Sequence, residues 1–301
     1  MLFLTSAWTW AWPWWGTVVA INVVNLLIAI YVFYRSKTSK TDDYTPYKKK
    51  LRIAGIIFIS VAMYRSIFIS RYLTQLAWFN TILNSTLLIR TFALFAEMSF
   101  AYLIMSVLLR LNKDFSTNDS MKDTKLMVFL KTKSPIYFFW FIGIANVFAF
   151  GGSITKIRLL FAIEETFWGI GFLLITPFVL IQLRTLVKLE DTKLKEALKM
   201  YKTFLIIMAV FCVGYVSYSL LYHLPIEYWP AAIEQLQMAN PIPEFRFGFS
   251  AIKDALLVVN QTHDYDAWGG LGFVIWHSGY FTLCGWMVLY FMNAPRKLLN
   301  K

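Results

Sequence analysis

Six ionisable side chains lie within long apolar stretches of this sequence: Arg65, Arg71, Arg90, Glu97, Glu164 and Glu165. A charge at the centre of a membrane helix costs about 2.5–3.5 kcal/mol on insertion scales, so such residues usually face protein or water and have partners. Arginine is well suited to bidentate binding of carboxylates and phosphates. The set therefore predicts a site for an anionic or amphipathic ligand. The alternative is a structural network, in which the arginines pair with the glutamates and only hold helices together.

Polar and aromatic residues also recur at helical spacing in three of these stretches. The three series are Thr86, Arg90, Ala93 and Glu97; Phe211, Tyr215, Tyr218 and Tyr222; and Phe273, His277, Tyr280 and Cys284. Residues at this spacing share one face of a helix. The three faces predict a pocket that opens outward, in which Tyr215, Tyr218, Tyr222 and His277 form the walls.

The histidines offer a different chemistry. His223, His263 and His277 all fall near the predicted outer side, and with Glu164 or Glu165 they could act as acid–base groups or metal ligands. Their spacing matches no established metal-binding motif, so a metal site is not favoured. These residues define an alternative function, a membrane enzyme that acts on a lipid at the outer leaflet.

The elements that must position these residues are predicted to be membrane-spanning helices. The chain is 58% hydrophobic and only 15% charged, whereas soluble domains carry about 45–50% apolar and about 25% charged residues. Seven stretches have the roughly 20 apolar residues that a span requires: 14–34, 51–72, 79–111, 135–152, 159–186, 201–222 and 269–293. The sequence therefore predicts an all-α transmembrane bundle that forms a single domain over residues 1–301.

The basic residues predict how this bundle is oriented. Segments 35–52, 110–133, 184–202 and 296–301 hold 22 of the 29 lysines and arginines. Basic loops stay in the cytoplasm, which places the N-terminus outside and the C-terminus inside. The charges inside the spans then all fall in the outer half of the membrane. Because the basic residues are grouped between apolar stretches, nucleic-acid binding is excluded as the reason for the net charge of +12.

Tryptophans cluster at the predicted outer ends of the spans: Trp8, Trp10, Trp12, Trp14, Trp15, Trp78, Trp229 and Trp268. This distribution favours an aromatic belt at the level of the lipid headgroups. The outside loop 223–268 contains Pro225, Pro230, Pro241 and Pro243, which predict an irregular first half. Its second half, Glu244–Val259, has the apolar spacing of a short amphipathic helix that lies on the membrane or covers the bundle.

Three functions remain open at this level. The first is a receptor or carrier with an outward-facing polar pocket, the second is the enzyme described above, and the third is a subunit or assembly factor with a protein partner in the membrane. A retinal Schiff base is not expected, because no lysine lies between Lys253 and Lys297. All three functions imply a multi-pass integral protein of the plasma or inner membrane that contacts the lipid bilayer.

Overall fold

The computed structural model describes residues 2–35, 45–115, 124–187, 195–239 and 247–293, and nearly all of them are helical. The helices are α1 (Leu2–Arg35), α2 (Thr45–Ile67), α3 (Thr86–Phe115), α4 (Lys125–Thr132), α5 (Ser134–Thr155), α6 (Arg158–Val187), α7 (Lys195–Tyr218), α8 (Trp229–Gln237), α9 (Gly248–Leu257) and α10 (Gly270–Met292). A π-helical segment, Ser219–Tyr228, joins α7 to α8. The predicted all-α class is confirmed.

Five helical stretches of the described chain are long and apolar enough to cross a membrane. They are Trp10–Arg35, Thr86–Asp114, Ser134–Thr155, Arg158–Val187 and Leu198–Gln237. The first four belong to α1, α3, α5 and α6, and the fifth runs from α7 into α8. The structure is therefore compatible with an integral membrane protein.

Two differences between the helix bounds and the predicted spans change how the chain is organised between α2 and α3 and after α7. Residues 68–85 leave the helical path between α2 and α3, although both neighbouring predicted spans extended into this segment. Conversely, the chain stays helical from Tyr222 to Gln237, where the prolines predicted an irregular loop. Pro225 lies within the π-helical segment, whose hydrogen-bond pattern differs from that of an α-helix. Pro230 lies in the first turn of α8, which follows that segment directly. Pro241, Pro243 and residues 244–246 lie outside the described residues, and α9 falls within the rest of the predicted amphipathic helix.

The helices pack in a continuous order around one core. α2 lies against α1, α3 and α10; α3 packs on α5; α5 packs on α6; and α6 packs on α7 and the π-helical segment. Aromatic side chains such as Phe58, Phe100 and Phe172 are buried in the core that these helices share. This order brings the faces of α2, α3 and α6 that carry buried charges, and the face of α5 that carries Asn146, toward one another.

One end of the bundle, here called the basic end, joins the C-terminal ends of α3 and α10 to the N-terminal ends of α2 and α7. The Tyr201 hydroxyl donates a hydrogen bond of 2.6 Å to Asp114 Oδ2, and Arg110 Nε lies 3.0 Å from Asp114 Oδ1. The guanidinium of Arg110 also lies 5.8 Å from the ring centre of Tyr47. Parts of the four basic segments, including all of the tail 296–301, lie outside the described residues.

The opposite end, here called the cap, consists of residues 68–85 and 258–269. Two short strands pair in parallel there, β1 (Leu76–Ala77) with β2 (Asn260–Gln261). The Gln75 side chain donates a hydrogen bond of 2.8 Å to Asp254 Oδ2, which ties α9 to the cap. The cap therefore joins segments that lie more than 180 residues apart in the chain.

Tryptophans form the centre of the cap. Trp78 and Trp268 have no exposed surface, and the rings of Trp10, Trp12 and Trp14 lie 5.9, 6.0 and 5.5 Å from that of Trp78. These side chains therefore face protein in a packed cluster, whereas the sequence favoured a belt facing headgroups. The reason is that residues 68–85 pack against residues 10–15 of α1. The side chain of Trp8 lies outside the described part.

Gly55 allows α2 to approach α10 closely. A Cβ atom at this position would lie 2.0 Å from Met292 Cγ and 2.3 Å from its Sδ. We expect Gly55→Ala to destabilise the protein by about 1–3 kcal/mol, the usual cost of overpacking. Thermal unfolding in detergent micelles measures this cost.

Gly214→Ala is the matched control, because no atom lies within 4 Å of a Cβ at Gly214. The control should have the wild-type melting temperature or a slightly higher one, since alanine has a higher helix propensity than glycine. Adding Met292→Ala to Gly55→Ala should recover part of the loss. Equal melting temperatures for Gly55→Ala and Gly214→Ala would contradict the close contact.

Candidate functional site

A buried ion-pair network centred on Arg90 lies between α3, α5 and α6. Arg90 Nη1 and Nη2 lie 3.1 and 3.2 Å from the two carboxylate oxygens of Glu97, two helical turns along the same face of α3. Nη2 also lies 3.1 Å from Glu164 Oε1 and donates a hydrogen bond of 3.0 Å to Asn146 Oδ1. Each of these four residues is at most 6% exposed. The network joins three helices. These are the contacts expected if the arginines and glutamates pair with one another and hold the helices together.

Tyr72 connects this network to a second arginine. Its ring centre lies 5.8 Å from the guanidinium carbon of Arg90, and its hydroxyl accepts a 2.9 Å hydrogen bond from Arg65 Nη2. Its backbone carbonyl accepts a 2.9 Å hydrogen bond from Lys156 Nζ, which comes from the end of α5. Tyr72 lies in the cap segment that follows α2. Tyr72 was not among the predicted site residues, because none of its neighbours along the chain indicates that it bridges two arginines.

Arg65 has a different environment from Arg90. It is only 8% exposed, and its guanidinium lies 5.1 Å from the ring centre of Phe281 and 5.8 Å from that of Tyr280, both on α10. Within the described part of the chain, it forms no ion pair with a carboxylate, and its one side-chain hydrogen bond goes to Tyr72. A guanidinium has five N–H donors, so most of the hydrogen-bonding capacity of Arg65 is unused.

His277 lies beside the backbone of Arg65. It is 3% exposed, and its Nδ1 atom has no hydrogen-bond partner among the described residues. Its ring packs against Phe281 at 4.5 Å and Trp14 at 5.3 Å. Arg65 and His277 thus place two nitrogen-bearing side chains with unused hydrogen-bonding capacity next to each other, under the tryptophan cluster.

Arg71 does not join either group. Its Nη1 donates hydrogen bonds to the backbone carbonyls of Trp268 at 2.9 Å and Ala267 at 3.4 Å. Its guanidinium also lies 6.0 Å from the ring centre of Phe273. The sequence grouped Arg71 with Arg90 as a partner of the glutamates, but the end of α2 at Ile67 places Arg71 in the cap instead.

The remaining predicted site residues form a second polar group on α6, α7 and the π-helical segment. The Tyr215 hydroxyl donates a 3.3 Å hydrogen bond to Glu165 Oε2. His223 Nδ1 lies 3.0 Å from the Tyr218 hydroxyl and 2.5 Å from Glu227 Oε2. The side chains of Tyr218 and Tyr222 are exposed and lie next to each other.

Of the three histidines, only His263 lies in the cap. Its ring lies 4.8 Å from that of Trp78 and 5.0 Å from that of Trp12, and its partial burial lowers its pKa. No group of three or more histidine, cysteine, aspartate or glutamate side chains that could hold a metal is present in the part of the chain that the structure describes.

The buried polar groups differ in what they can do chemically. Arg90 is already bound by two carboxylates, so an anion would have to displace one of them. Arg65 has no carboxylate at ion-pair distance among the described residues and can donate to an incoming carboxylate or phosphate. Asn146 was not among the predicted site residues, although it is recognisable in the sequence as the one amide side chain in the apolar run of α5.

Comparison of the chain with protein-family models, with curated proteins and with solved structures gives no match.

Proposed function

We propose that the chain is a multi-pass membrane protein with seven spans, in which α2 and α10 join the five stretches named above. Each has 23 residues, or about 34 Å at 1.5 Å per residue, which matches a hydrocarbon core of about 30 Å. α10 contains no Asp, Glu, Lys or Arg. In α2 the residues Lys48, Lys49, Lys50 and Arg52 lie near the basic end, where long side chains can reach the headgroups.

The proposed orientation places the cap outside and the basic end in the cytoplasm. The N-terminus is then outside and the C-terminus inside. The lysines and arginines at the basic ends of α2, α3, α6 and α7 support this orientation through the preference of basic residues for the cytoplasmic side. The plasma or inner membrane is the proposed location.

Within this frame the chain is a receptor or carrier for an anionic or amphipathic ligand, and Arg65 is its main anchor. The observation that carries this proposal is the buried guanidinium of Arg65, which has one hydrogen bond and no carboxylate partner among the described residues. Leaving a buried charge unpaired is costly, and an anionic ligand would remove that cost. His277 and Tyr72 would complete the polar contacts, and Tyr280 and Phe281 would contact apolar parts of the ligand.

The ion-pair network would then act mainly by positioning. Arg90, Glu97 and Glu164 hold α3 and α6 at a fixed distance, and Tyr72 transmits their position to Arg65. Five residues remain predicted to line the pocket, but no contact in the described part of the chain links them to the proposed anchor. They are Arg71, Glu165, Tyr215, Tyr218 and Tyr222. Two other functions predicted from the sequence remain alternatives: an enzyme that acts on a lipid at the outer leaflet, and a subunit or assembly factor of a membrane complex.

Dodecyl phosphate is a suitable first probe, because it combines a phosphate with a single apolar chain. We expect it to raise the melting temperature of the purified protein, as any ligand of the folded state does. Arg65→Gln should weaken binding at least about tenfold, since a hydrogen bond to a charged group contributes roughly 1.5–3 kcal/mol. Arg65→Lys should retain part of the affinity, because it keeps the charge but not the fork of donors.

Arg184→Gln is the matched control, since Arg184 is exposed near the basic end, and it should bind as the wild type does. Inorganic phosphate is the second probe, and it distinguishes a site for a free anion from a site for an amphiphile. A response to both probes indicates a site for the anion alone, and a response only to dodecyl phosphate indicates an amphiphile. Equal affinity of wild type and Arg65→Gln for dodecyl phosphate would refute Arg65 as the anchor.

A further inference from the structure

Helix α9 has an apolar face on its exposed side. Phe249 is 81% exposed and Ile252 is 41% exposed, and Phe247, which immediately precedes the helix, is 62% exposed. The opposite face is covered, since Ala251 and Ala255 have no exposed surface. The exposed side of a surface helix in water usually carries polar residues, so this pattern is inverted for a helix in contact with solvent.

The position of α9 shows what lies beside this face. α9 packs against α3 and α5, and the bond between Gln75 and Asp254 fixes it to the cap. Both α3 and α5 are long and apolar enough to cross a membrane. They expose large apolar side chains along their outer surface, among them Phe95 at 52% and Val147 at 71%. The apolar face of α9 continues this outer surface at the cap end of the bundle.

We propose that α9 is a lipid-contacting helix, which inserts Phe247, Phe249 and Ile252 into the headgroup region of the leaflet next to the cap. Amphipathic helices bury their apolar face roughly 5–10 Å deep at the boundary between headgroups and acyl chains. Lys253 is exposed on the same side, and its ammonium can reach a lipid phosphate while its methylene groups stay among the chains. The helix thereby anchors the cap to the membrane surface.

A fluorescent probe at position 249 tests this proposal. Cys212 and Cys284 are buried, and both are first replaced by alanine to give a background without thiols. Phe249→Cys is then labelled with an environment-sensitive dye, and the protein is placed in phosphatidylcholine nanodiscs. Nitroxide lipids labelled near the headgroup should quench at least roughly half of the emission, and lipids labelled near the chain end should quench less, as a shallow depth requires.

Ile252→Cys is the second variant and should give the same order of quenching, so a folding defect at one position does not decide the result. Asp266→Cys is the control, since Asp266 is an exposed residue of the cap, and its dye should be quenched little by either lipid. Emission from positions 249 and 252 that is as weakly quenched as that from 266 would overturn the proposal. In that case the apolar face of α9 would be free for a protein partner.

Discussion

Arg90→Ala is expected to remove about 3–5 kcal/mol of stability, the usual cost of breaking a buried ion pair by deleting one partner. Glu97 and Glu164 would then be left buried without the guanidinium that binds both, and Asn146 would lose a donor. Thermal unfolding and the yield of monodisperse protein in detergent measure the loss. Arg184→Ala is the control at an exposed site, and it should leave both quantities unchanged.

A charge-balanced variant distinguishes an electrostatic role from simple loss of packing. Replacing Arg90 by methionine together with Glu97→Gln and Glu164→Gln removes the charges but keeps most of the volume. We expect this triple variant to melt well above Arg90→Ala, because well-packed neutral residues can substitute for a buried ion pair. A wild-type melting temperature for Arg90→Ala would mean that the network does not hold the bundle together.

Trp78→Ala is expected to destabilise the cap by about 3–5 kcal/mol, the range for truncating a buried Trp or Phe. Trp78 has no exposed surface. Its ring lies next to those of Trp12 and Trp14 on α1, and next to those of His263 and Trp268 in the other segment of the cap, residues 258–269. Hydrogen exchange should rise in residues 68–85 and 258–269 and stay unchanged at the basic end.

Trp140→Ala is the matched control, because Trp140 is 59% exposed on α5. It should change neither the melting temperature nor the exchange of the cap. Trp78→Phe should cost less than Trp78→Ala, since Nε1 of Trp78 has no hydrogen-bond partner among the described residues and only ring size is lost. If Trp78→Ala and Trp140→Ala had the same melting temperature and the same hydrogen exchange in the cap, the tryptophan cluster would not stabilise the cap.

The all-α class and the charges that meet inside the bundle were predictable from local patterns. Long apolar runs specify helices because a helix satisfies its backbone polar groups within one continuous segment. The spacing of Arg90 and Glu97 placed them on one face of α3, and the structure pairs them. Glu164, one of the three candidate glutamates, completes the ion pair from α6.

The cap could not be predicted in this way. Trp78, Tyr72 and Gln75 derive their roles from partners such as His263, Arg90 and Asp254. Hydropathy assigned residues 68–72 and 79–85 to neighbouring helices, because the residues of a folded loop with a buried tryptophan are as apolar as those of a helix end. The sequence likewise placed Arg71 with the glutamates, because the apolar composition continues past Ile67 and gives no indication that α2 ends there.

The helical, apolar character of this protein and the presence of charges within its apolar runs follow from the sequence alone, because these properties depend on residue type and on spacing within one helix. Which of these charges form ion pairs depends on the packing of the helices. Arg65 and Arg90 are the same residue type in similar apolar runs, yet Arg90 meets two carboxylates and Arg65 meets a phenol and two rings. That difference arises from which helices pack together, and the partners come from distant parts of the chain.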